Sequence, residues 1–246
     1  MRSFANLLLV LLAGCGFVRI AREPMESETY RALGPDKARG VIVLLPGFGD
    51  RPEAFAEHGF VAALEKTNLD VVAADAHFTY YRKGRVVQRL HEDVIEPLRK
   101  RGYRSIWLAG TSMGGIGAVG YARHHPESVR GLFLLAPYMG PKGVVKEVAA
   151  KGLCKWDGKA GAEDDVDSFA HNNFVWLREQ ACVKREVSLF LGVGSQDRLL
   201  QADSVLGGVI PASHFVVLPG GHGWNVWTPL IARLAGTAFD SQEVRY

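Results

Sequence analysis

The decapeptide LAGTSMGGIG, residues 108–117, places one serine, Ser112, among small residues directly after an apolar run. The run SIWLAG (105–110) has the pattern of a buried strand, and the glycine-rich sequence after it is typical of a sharp turn into a helix. Gly110 and Gly114, two residues to either side of the serine, let strand and helix approach each other closely. Such a turn raises the serine hydroxyl above the sheet at a helix N-terminus, where negative charge is stabilised. The pentapeptide G-T-S-M-G therefore predicts a nucleophilic serine.

Other interpretations of these glycines are weaker. Residues 115–120, GIGAVG, match the dinucleotide-binding pattern by letter, but that site needs its glycines immediately after the strand and an acid at the end of the next strand. The next predicted strand ends in Ala136 and Pro137. A phosphate-binding P-loop is excluded because no Lys-Ser/Thr pair follows the glycines. If the pentapeptide stood alone, a glycine-rich helix start with no catalytic role would be a credible alternative.

Two later segments supply the partners that a serine nucleophile needs. A hydroxyl requires a base, and the base requires an acid that holds its tautomer. LGVGSQD places Asp197 just after one apolar run, and LPGGHGW places His222 just after the next. Loops at the carboxyl ends of parallel strands share one edge of the sheet, so these side chains are expected to converge on Ser112. Asp203 is a weaker substitute for the acid, and a simple turn aspartate is the alternative interpretation of Asp197.

The alternation of short apolar runs with helical patterns predicts an α/β fold, with a mostly parallel sheet covered by helices on both faces. The predicted strands are residues 41–46, 69–75, 105–110, 131–137, 187–194 and 214–220. The predicted helices are residues 50–67 with Asp50 in a capping box, 85–100 with a kink at Pro97, 112–125, 167–182, and 228–239 with Thr228 as cap and Pro229 at the first position.

The first predicted strand ends in LLPGFGD, residues 44–50, which has the composition of an oxyanion-binding turn. Acyl transfer builds negative charge on a carbonyl oxygen, and this charge needs hydrogen-bond donors. The expected donors are the backbone N–H of Phe48 and that of Met113, the residue after the nucleophile. A simple glycine turn is the alternative.

The substrate pocket is less well specified. Tyr138 and Trp224 are predicted to form part of an apolar wall. His77, in DAHFTYY, either lines the same pocket or is a surface loop histidine. No His, Asp or Glu cluster has metal-ligand spacing, so neither a metal nor another cofactor is expected.

The N-terminus, MRSFANLLLVLLAGC, has the build of an export signal, with Arg2 before an apolar stretch at Leu7–Ala13. LAGC at 12–15 resembles the lipobox of bacterial lipoproteins, which implies a signal peptide at 1–14 and a lipid on Cys15. Gly16 after the cysteine then favours the periplasmic face of the outer membrane. A plain cleaved signal, an uncleaved anchor and a cytosolic N-terminus are the alternatives.

The remaining chain divides into a tether at 15–39 with an edge strand near TYRAL, a catalytic domain at 40–240, and a small cap at about 141–165 within it. The cap is either a decorated loop or a lid. Export favours a disulfide between Cys154 and Cys182, and two separate buried thiols are the alternative.

The formal net charge of +3 is small for 246 residues, and no basic stripe with interleaved aromatic residues occurs. These features argue against a nucleic-acid partner. The expected partners are a small ester or acyl substrate and, through the N-terminus, a membrane.

Ser112, Asp197, His222 and the turn PGFGD together resemble the α/β-hydrolase superfamily over residues 40–240. The turn is similar to the HGLGD of carboxylesterases and acyl-protein thioesterases, and GGHGWNVW resembles the ending of small esterases. One departure is Pro46, which replaces the usual histidine before the first glycine. The resemblance implies a serine hydrolase that cleaves carboxylic esters through an acyl-enzyme.

Among enzymes, the alternatives are a thioesterase, an acyltransferase or a peptidase that uses the same three residues. A dehalogenase would need aspartate in place of Ser112. Among proteins that are not enzymes, the alternative is a lipoprotein that uses the fold as a binding module or scaffold and has no catalytic activity.

Overall fold

The computed structural model describes residues 19–32, 40–163 and 165–240. The signal peptide expected at 1–14 and the lipidation expected at Cys15 lie outside these ranges. Within the described ranges, no helix has the length and apolar character needed to cross a bilayer.

One seven-stranded sheet forms the centre of the molecule, in the order β1-β3-β2-β4-β5-β6-β7. β1 runs antiparallel to β3 at one edge, and every other neighbouring pair is parallel. The mostly parallel sheet predicted from the apolar runs is therefore confirmed. The strands are β1 (Ser27–Tyr30), β2 (Gly40–Leu45), β3 (Asp70–Ala74), β4 (Ser105–Thr111), β5 (Gly131–Leu135), β6 (Ser188–Gly194) and β7 (Phe215–Leu218).

Helices cover both faces of this sheet. They are α1 (Ala54–Glu57), α2 (Phe60–Ala63), α3 (Phe78–Arg82), α4 (Val86–Leu90), α5 (Glu96–Lys100), α6 (Met113–His124), α7 (Lys142–Lys151), α8 (Val166–Glu179), α9 (Leu200–Gly207) and α10 (Trp224–Asp240). α1, α2 and α10 pack on one face, and α3 to α9 pack on the other.

The central strands are apolar on both sides, which is why they fold into the middle of these layers. Every residue of β2 is buried. Val41, Val43 and Leu45 belong to one apolar cluster, because side chains alternate between the faces of a strand. Ile42 and Leu44 belong to the other. The two clusters fix the position of each loop that leaves the sheet.

Two helix predictions are wrong in their boundaries. The segment 50–67 is not one helix, because Gly59 adopts φ +72° and divides it into short pieces. Asp50 does not cap it, since Glu53 occupies the N-cap position. The last helix begins at Trp224 rather than Thr228, because the carbonyl of Gly223 accepts the N–H groups of its first turn.

The prediction for 85–100 is confirmed as a continuous helical segment, with α4 and α5 joined by a π-helical turn at His91–Ile95. Pro97 is the second residue of α5, one residue beyond this wider turn. A π turn rearranges the hydrogen-bond ladder, which accommodates a residue without an N–H. The crossover helix is present as α8 followed by a second π turn at Gln180–Lys184.

The segment expected as a cap contains α7 and a short 3-10 turn at Leu153–Lys155. Val148, Leu153 and Trp156 from this segment are buried in the apolar cluster beneath it. Cys154 forms a disulfide with Cys182 in the π turn that follows α8, with 5.7 Å between the Cα atoms. Packing and disulfide together attach this segment to α8.

Candidate active site

Ser112 lies at the turn between β4 and α6, and its backbone is held in a rare conformation. Its φ of 49° and ψ of −114° are unfavourable for a residue with a side chain. Its N–H donates to the carbonyl of Leu135 at 3.0 Å, and its carbonyl accepts from the N–H of Tyr138 at 2.8 Å. These bonds to the neighbouring strand β5 and the loop after it hold the turn in place.

Close packing around Ser112 leaves no room for a side chain at two of the neighbouring glycines. A Cβ on Gly110 would lie 2.3 Å from the carbonyl oxygen of Gly114. A Cβ on Gly114 would lie 2.0 Å from the carbonyl oxygen of Leu45. Both distances are far below contact, so any larger residue must displace β4, α6 or the loop after β2.

A continuous chain of hydrogen bonds joins the three residues that sequence reasoning selected. The Nε2 atom of His222 lies 2.9 Å from the Ser112 hydroxyl oxygen, and its Nδ1 atom lies 2.8 Å from Oδ2 of Asp197. The other carboxylate oxygen, Oδ1, accepts the N–H of Leu199 at 2.9 Å. The Asp197 side chain is completely buried. This arrangement holds the imidazole with one nitrogen against the hydroxyl.

The loops that carry Asp197 and His222 are bonded to each other. The N–H of Ser195 donates to the carbonyl of Leu218, and that of Gln196 donates to the carbonyl of Gly220, both at 2.8 Å. Below the imidazole, the ring of Trp227 stands perpendicular to it with 5.0 Å between the centroids. The loops after β6 and β7 therefore form one unit.

Asp203, the substitute considered for the acid, is buried near Asp197 but makes no hydrogen bond to His222. It is completely buried in α9, and neither carboxyl oxygen has a hydrogen-bond partner among the described residues. Burial raises the pKa of the Asp203 carboxyl well above its ordinary value, and the negative charge of Asp197 raises it further. Asp197, not Asp203, is the carboxylate that contacts His222.

The turn expected to bind an oxyanion lies against the serine. A Cβ on Gly47 would be 3.5 Å from the Cβ of Ser112, so the backbone of this turn faces Ser112 directly. Met113 is the first residue of α6, and N–H groups in the first turn of a helix have no acceptor within the helix. Phe48 follows Gly47 in the turn, and its side chain points outward, 56% exposed.

The last residue of this turn, Asp50, was misassigned by sequence reasoning. Its carboxylate accepts a hydrogen bond from the Trp224 side chain, and burial raises the pKa of the Asp50 carboxyl. The contact joins the oxyanion turn to the start of α10, just after His222. It is formed across more than 170 residues, so no local pattern would have found it.

The three residues predicted to line a pocket have different surroundings. Tyr138 is half-buried, and its N–H is bonded to the carbonyl of Ser112. Trp224 is half-buried and stacks on the His58 ring at 4.9 Å. His77 is buried, so it is not a surface histidine, and its Nδ1 accepts from the N–H of Thr79. Burial lowers the pKa of His77.

Sequence reasoning also missed Arg19, which it left within a tether. The Arg19 guanidinium pairs with the Asp75 carboxylate at 2.5 Å and donates to the backbone carbonyl of Asp50 at 2.9 Å. The start of the described chain is thus bonded to the oxyanion turn. Across the described ranges, no group of three or more His, Cys, Asp or Glu residues is arranged to hold a metal ion.

A mostly parallel sheet that carries a serine, an aspartate and a histidine in this chain order at its carboxyl edge is the architecture of an α/β-hydrolase. Residues 36–163 match the family model described as serine aminopeptidase, S33, and the chain belongs to this family. The matched region includes Ser112 and ends before Asp197. A search of curated protein sequences gave no match.

Solved structures with the same fold include several esterases. A ferulic acid esterase is 17% identical, with 91% of this chain and 95% of that chain covered and a TM-score of 0.61. Est1E from Butyrivibrio proteoclasticus is 14% identical, with 89% and 94% covered and a TM-score of 0.64. The monoacylglycerol lipase of Paleococcus ferrophilus is 15% identical, with 87% and 98% covered and a TM-score of 0.56. At these identities the similarity confirms the α/β-hydrolase fold.

Proposed function

We propose that the chain is a carboxylic-ester hydrolase that acts through Ser112, His222 and Asp197. The observation that carries this proposal is the hydrogen-bond chain from the serine hydroxyl to a buried carboxylate, with 2.9 Å and 2.8 Å at its two links. A nucleophile and base within hydrogen-bond reach, with the base oriented by a third group, is the arrangement that activates a hydroxyl. The esterases and the lipase among the structural neighbours favour esters as the substrate class.

In the first half-reaction, His222 takes the hydroxyl proton as the Ser112 oxygen attacks the ester carbonyl. Asp197 holds the imidazole in position and stabilises its positive charge. The N–H groups of Phe48 and Met113 donate to the tetrahedral oxyanion, and each such donor contributes roughly 3 kcal/mol. The intermediate collapses when His222 gives its proton to the leaving alcohol, which leaves an acyl-enzyme.

In the second half-reaction, water replaces the alcohol. His222 removes a proton from the water as the oxygen attacks the acyl-enzyme, and it returns this proton to Ser112 as the acid leaves. Because the three residues act as a unit, loss of either Ser112 or His222 is expected to remove nearly all of the activity.

The test is a panel of p-nitrophenyl esters of increasing acyl length, with thioester and anilide analogues of the same acyl groups. Ester turnover that disappears in Ser112→Ala supports the proposal. The family description favours a peptidase as the second candidate. Faster turnover of the anilides than of the esters would favour that candidate instead. No turnover of any analogue by folded protein would favour a silent scaffold.

We also propose export, with a lipid on Cys15 that holds the catalytic domain at the periplasmic face of the outer membrane. The support is the sequence alone: Arg2, the apolar stretch Leu7–Ala13 and the LAGC that ends at Cys15. Mass spectrometry of protein from the membrane fraction tests it. A mature chain that begins at an unmodified residue other than Cys15 would contradict lipidation.

A further inference from the structure

Three exposed apolar side chains lie beside the oxyanion turn, and we call them the rim patch: Ile20, Phe48 and Phe78. Ile20 is 82% exposed, Phe48 56% and Phe78 36%. The rings of Phe48 and Phe78 meet edge to face with 5.2 Å between their centroids. Because Phe48 belongs to the turn against Ser112, the rim patch borders the catalytic serine.

Arg19 and Ile20 are bonded to the neighbours of Phe78 and to the oxyanion turn. Arg19 is bonded to Asp75 and to the oxyanion turn, and its carbonyl accepts from the Thr79 hydroxyl at 2.5 Å. The ring of His77 makes a hydrogen bond to the backbone of Ile20. His77 and Thr79 flank Phe78 in the chain. An exposed isoleucine that is fixed in this way is part of a defined surface.

Exposed cations accompany the rim patch. Arg51 follows the oxyanion turn, and Arg82 and Lys83 follow Phe78 at the end of α3. Arg82 and Phe78 are four residues apart in one helix and share a face. Arg51, Arg82 and Lys83 form no ion pair with any residue that the structure describes. Apolar side chains with neighbouring cations are the composition of surfaces that bind anionic lipids.

The N-terminal sequence brings a membrane close to this surface. Four peptide steps join Cys15 to Arg19, and a fully extended chain spans at most about 14 Å over that length. A lipid on Cys15, or an uncleaved apolar anchor that ends at Ala13, therefore enters the bilayer near the rim patch. The stretch from Cys15 to Arg19 is too short for the domain to turn this face far from the membrane.

We propose that the rim patch is a docking surface for an anionic phospholipid membrane. Ile20, Phe48 and Phe78 enter the interface between headgroups and acyl chains, and Arg51, Arg82 and Lys83 contact lipid phosphates. The oxyanion turn, which lies against Ser112, then faces the bilayer. This part of the inference rests on the proposed function. With the site facing the bilayer, the substrate class is acyl esters that are embedded in the membrane.

The docking is tested with the full chain in vesicles of phosphatidylglycerol and brominated phosphatidylcholine, which quenches tryptophan fluorescence only at the bilayer. Phe78→Trp adds a fluorophore to the rim patch. Val183→Trp is the matched control, because Val183 is 75% exposed and lies before the amino end of β6, opposite the active site. Both variants have the same tether, so only the position of the added tryptophan differs.

We expect the emission added by Phe78→Trp to be quenched, and that added by Val183→Trp to persist. Equal quenching of both, or of neither, would overturn the proposal. So would a change in the Phe78→Trp emission that depends on protein concentration without vesicles, because a second copy of the chain would then cover the patch.

A kinetic comparison separates this proposal from the proposed function. Ile20→Ser combined with Phe78→Ser is expected to lower hydrolysis of a vesicle-embedded ester at least about tenfold, while hydrolysis of a soluble short-chain ester stays the same. Val183→Ser should change neither rate. An equal decrease in the hydrolysis of both esters would contradict the proposal that the rim patch brings the site to membrane-embedded substrate. Absence of any ester hydrolysis by the unaltered protein would contradict the proposed function, whereas the quenching result needs no catalysis.

Discussion

Asp197→Asn is the substitution that tests most sharply how His222 is oriented. In the structure, Oδ1 of Asp197 accepts the Leu199 N–H at 2.9 Å, and Oδ2 faces Nδ1 of His222 at 2.8 Å. An asparagine retains its carbonyl oxygen opposite Leu199, since only an acceptor fits there. Its amide NH₂ group then faces Nδ1.

An amide donor opposite Nδ1 reverses the tautomer of the imidazole. Nδ1 must accept, so the ring proton moves to Nε2, which lies against the Ser112 hydroxyl. A nitrogen that already carries a proton cannot remove another from the serine. The same isosteric change in a serine protease triad lowers kcat roughly 10⁴-fold, equivalent to about 5.5 kcal/mol in activation free energy, and we expect a similar loss here.

The assay is the steady-state hydrolysis of a soluble p-nitrophenyl ester near neutral pH, with the fold checked by circular dichroism. Asp203→Asn is the matched control: it changes the other buried aspartate of this region, which makes no contact with His222. Its kcat should stay close to that of the unaltered protein. A large loss in Asp203→Asn with little loss in Asp197→Asn would refute the assignment of the acid.

Three further outcomes are expected. Burial raises the pKa of Asp203 above its unfolded value, so the contribution of this carboxyl to stability is fully present below about pH 4 and is lost as pH rises; urea unfolding should therefore show Asp203→Asn gaining stability relative to the unaltered protein as pH rises above about 4. Replacing Cys154 and Cys182 by serine should lower the free energy of unfolding by roughly 3–4 kcal/mol, because the disulfide closes a loop with a sequence separation of 28; an unchanged denaturation midpoint would contradict this. Gly114→Ala should prevent folding, since its Cβ would lie 2.0 Å from a backbone oxygen, whereas Gly143→Ala meets nothing within 4 Å and should yield soluble, folded protein.

Much of the fold is predictable because the central strands are apolar on both faces. VIVLLP and SIWLAG are recognisable as strands without any partner, and they form β2 and β4. The convergence of Ser112, Asp197 and His222 is likewise an expectation of topology, since loops after parallel strands lie at one edge. The structure brings these three side chains within hydrogen-bond distance.

The features that could not be predicted depend on contacts between distant segments. The Asp50 carboxylate is bonded to Trp224 instead of capping a helix, and Thr228 donates to the carbonyl of His58 instead of capping α10. In each case a side chain that is well placed in the sequence to cap a helix instead forms a hydrogen bond with a residue more than 150 positions away. In the sequence, nothing distinguishes Arg19 from the other residues of the tether. Its role depends on the Asp75 carboxylate, which only the folded structure brings beside it.

The most direct measurement is covalent labelling of the folded protein with a fluorophosphonate, which reacts only with a serine that an adjacent base has activated. We expect one probe per chain, located by mass spectrometry on the peptide that contains Ser112, and no label in Ser112→Ala or His222→Ala. Labelling that persists in Ser112→Ala, or a folded unaltered protein that takes up no probe, would contradict the account.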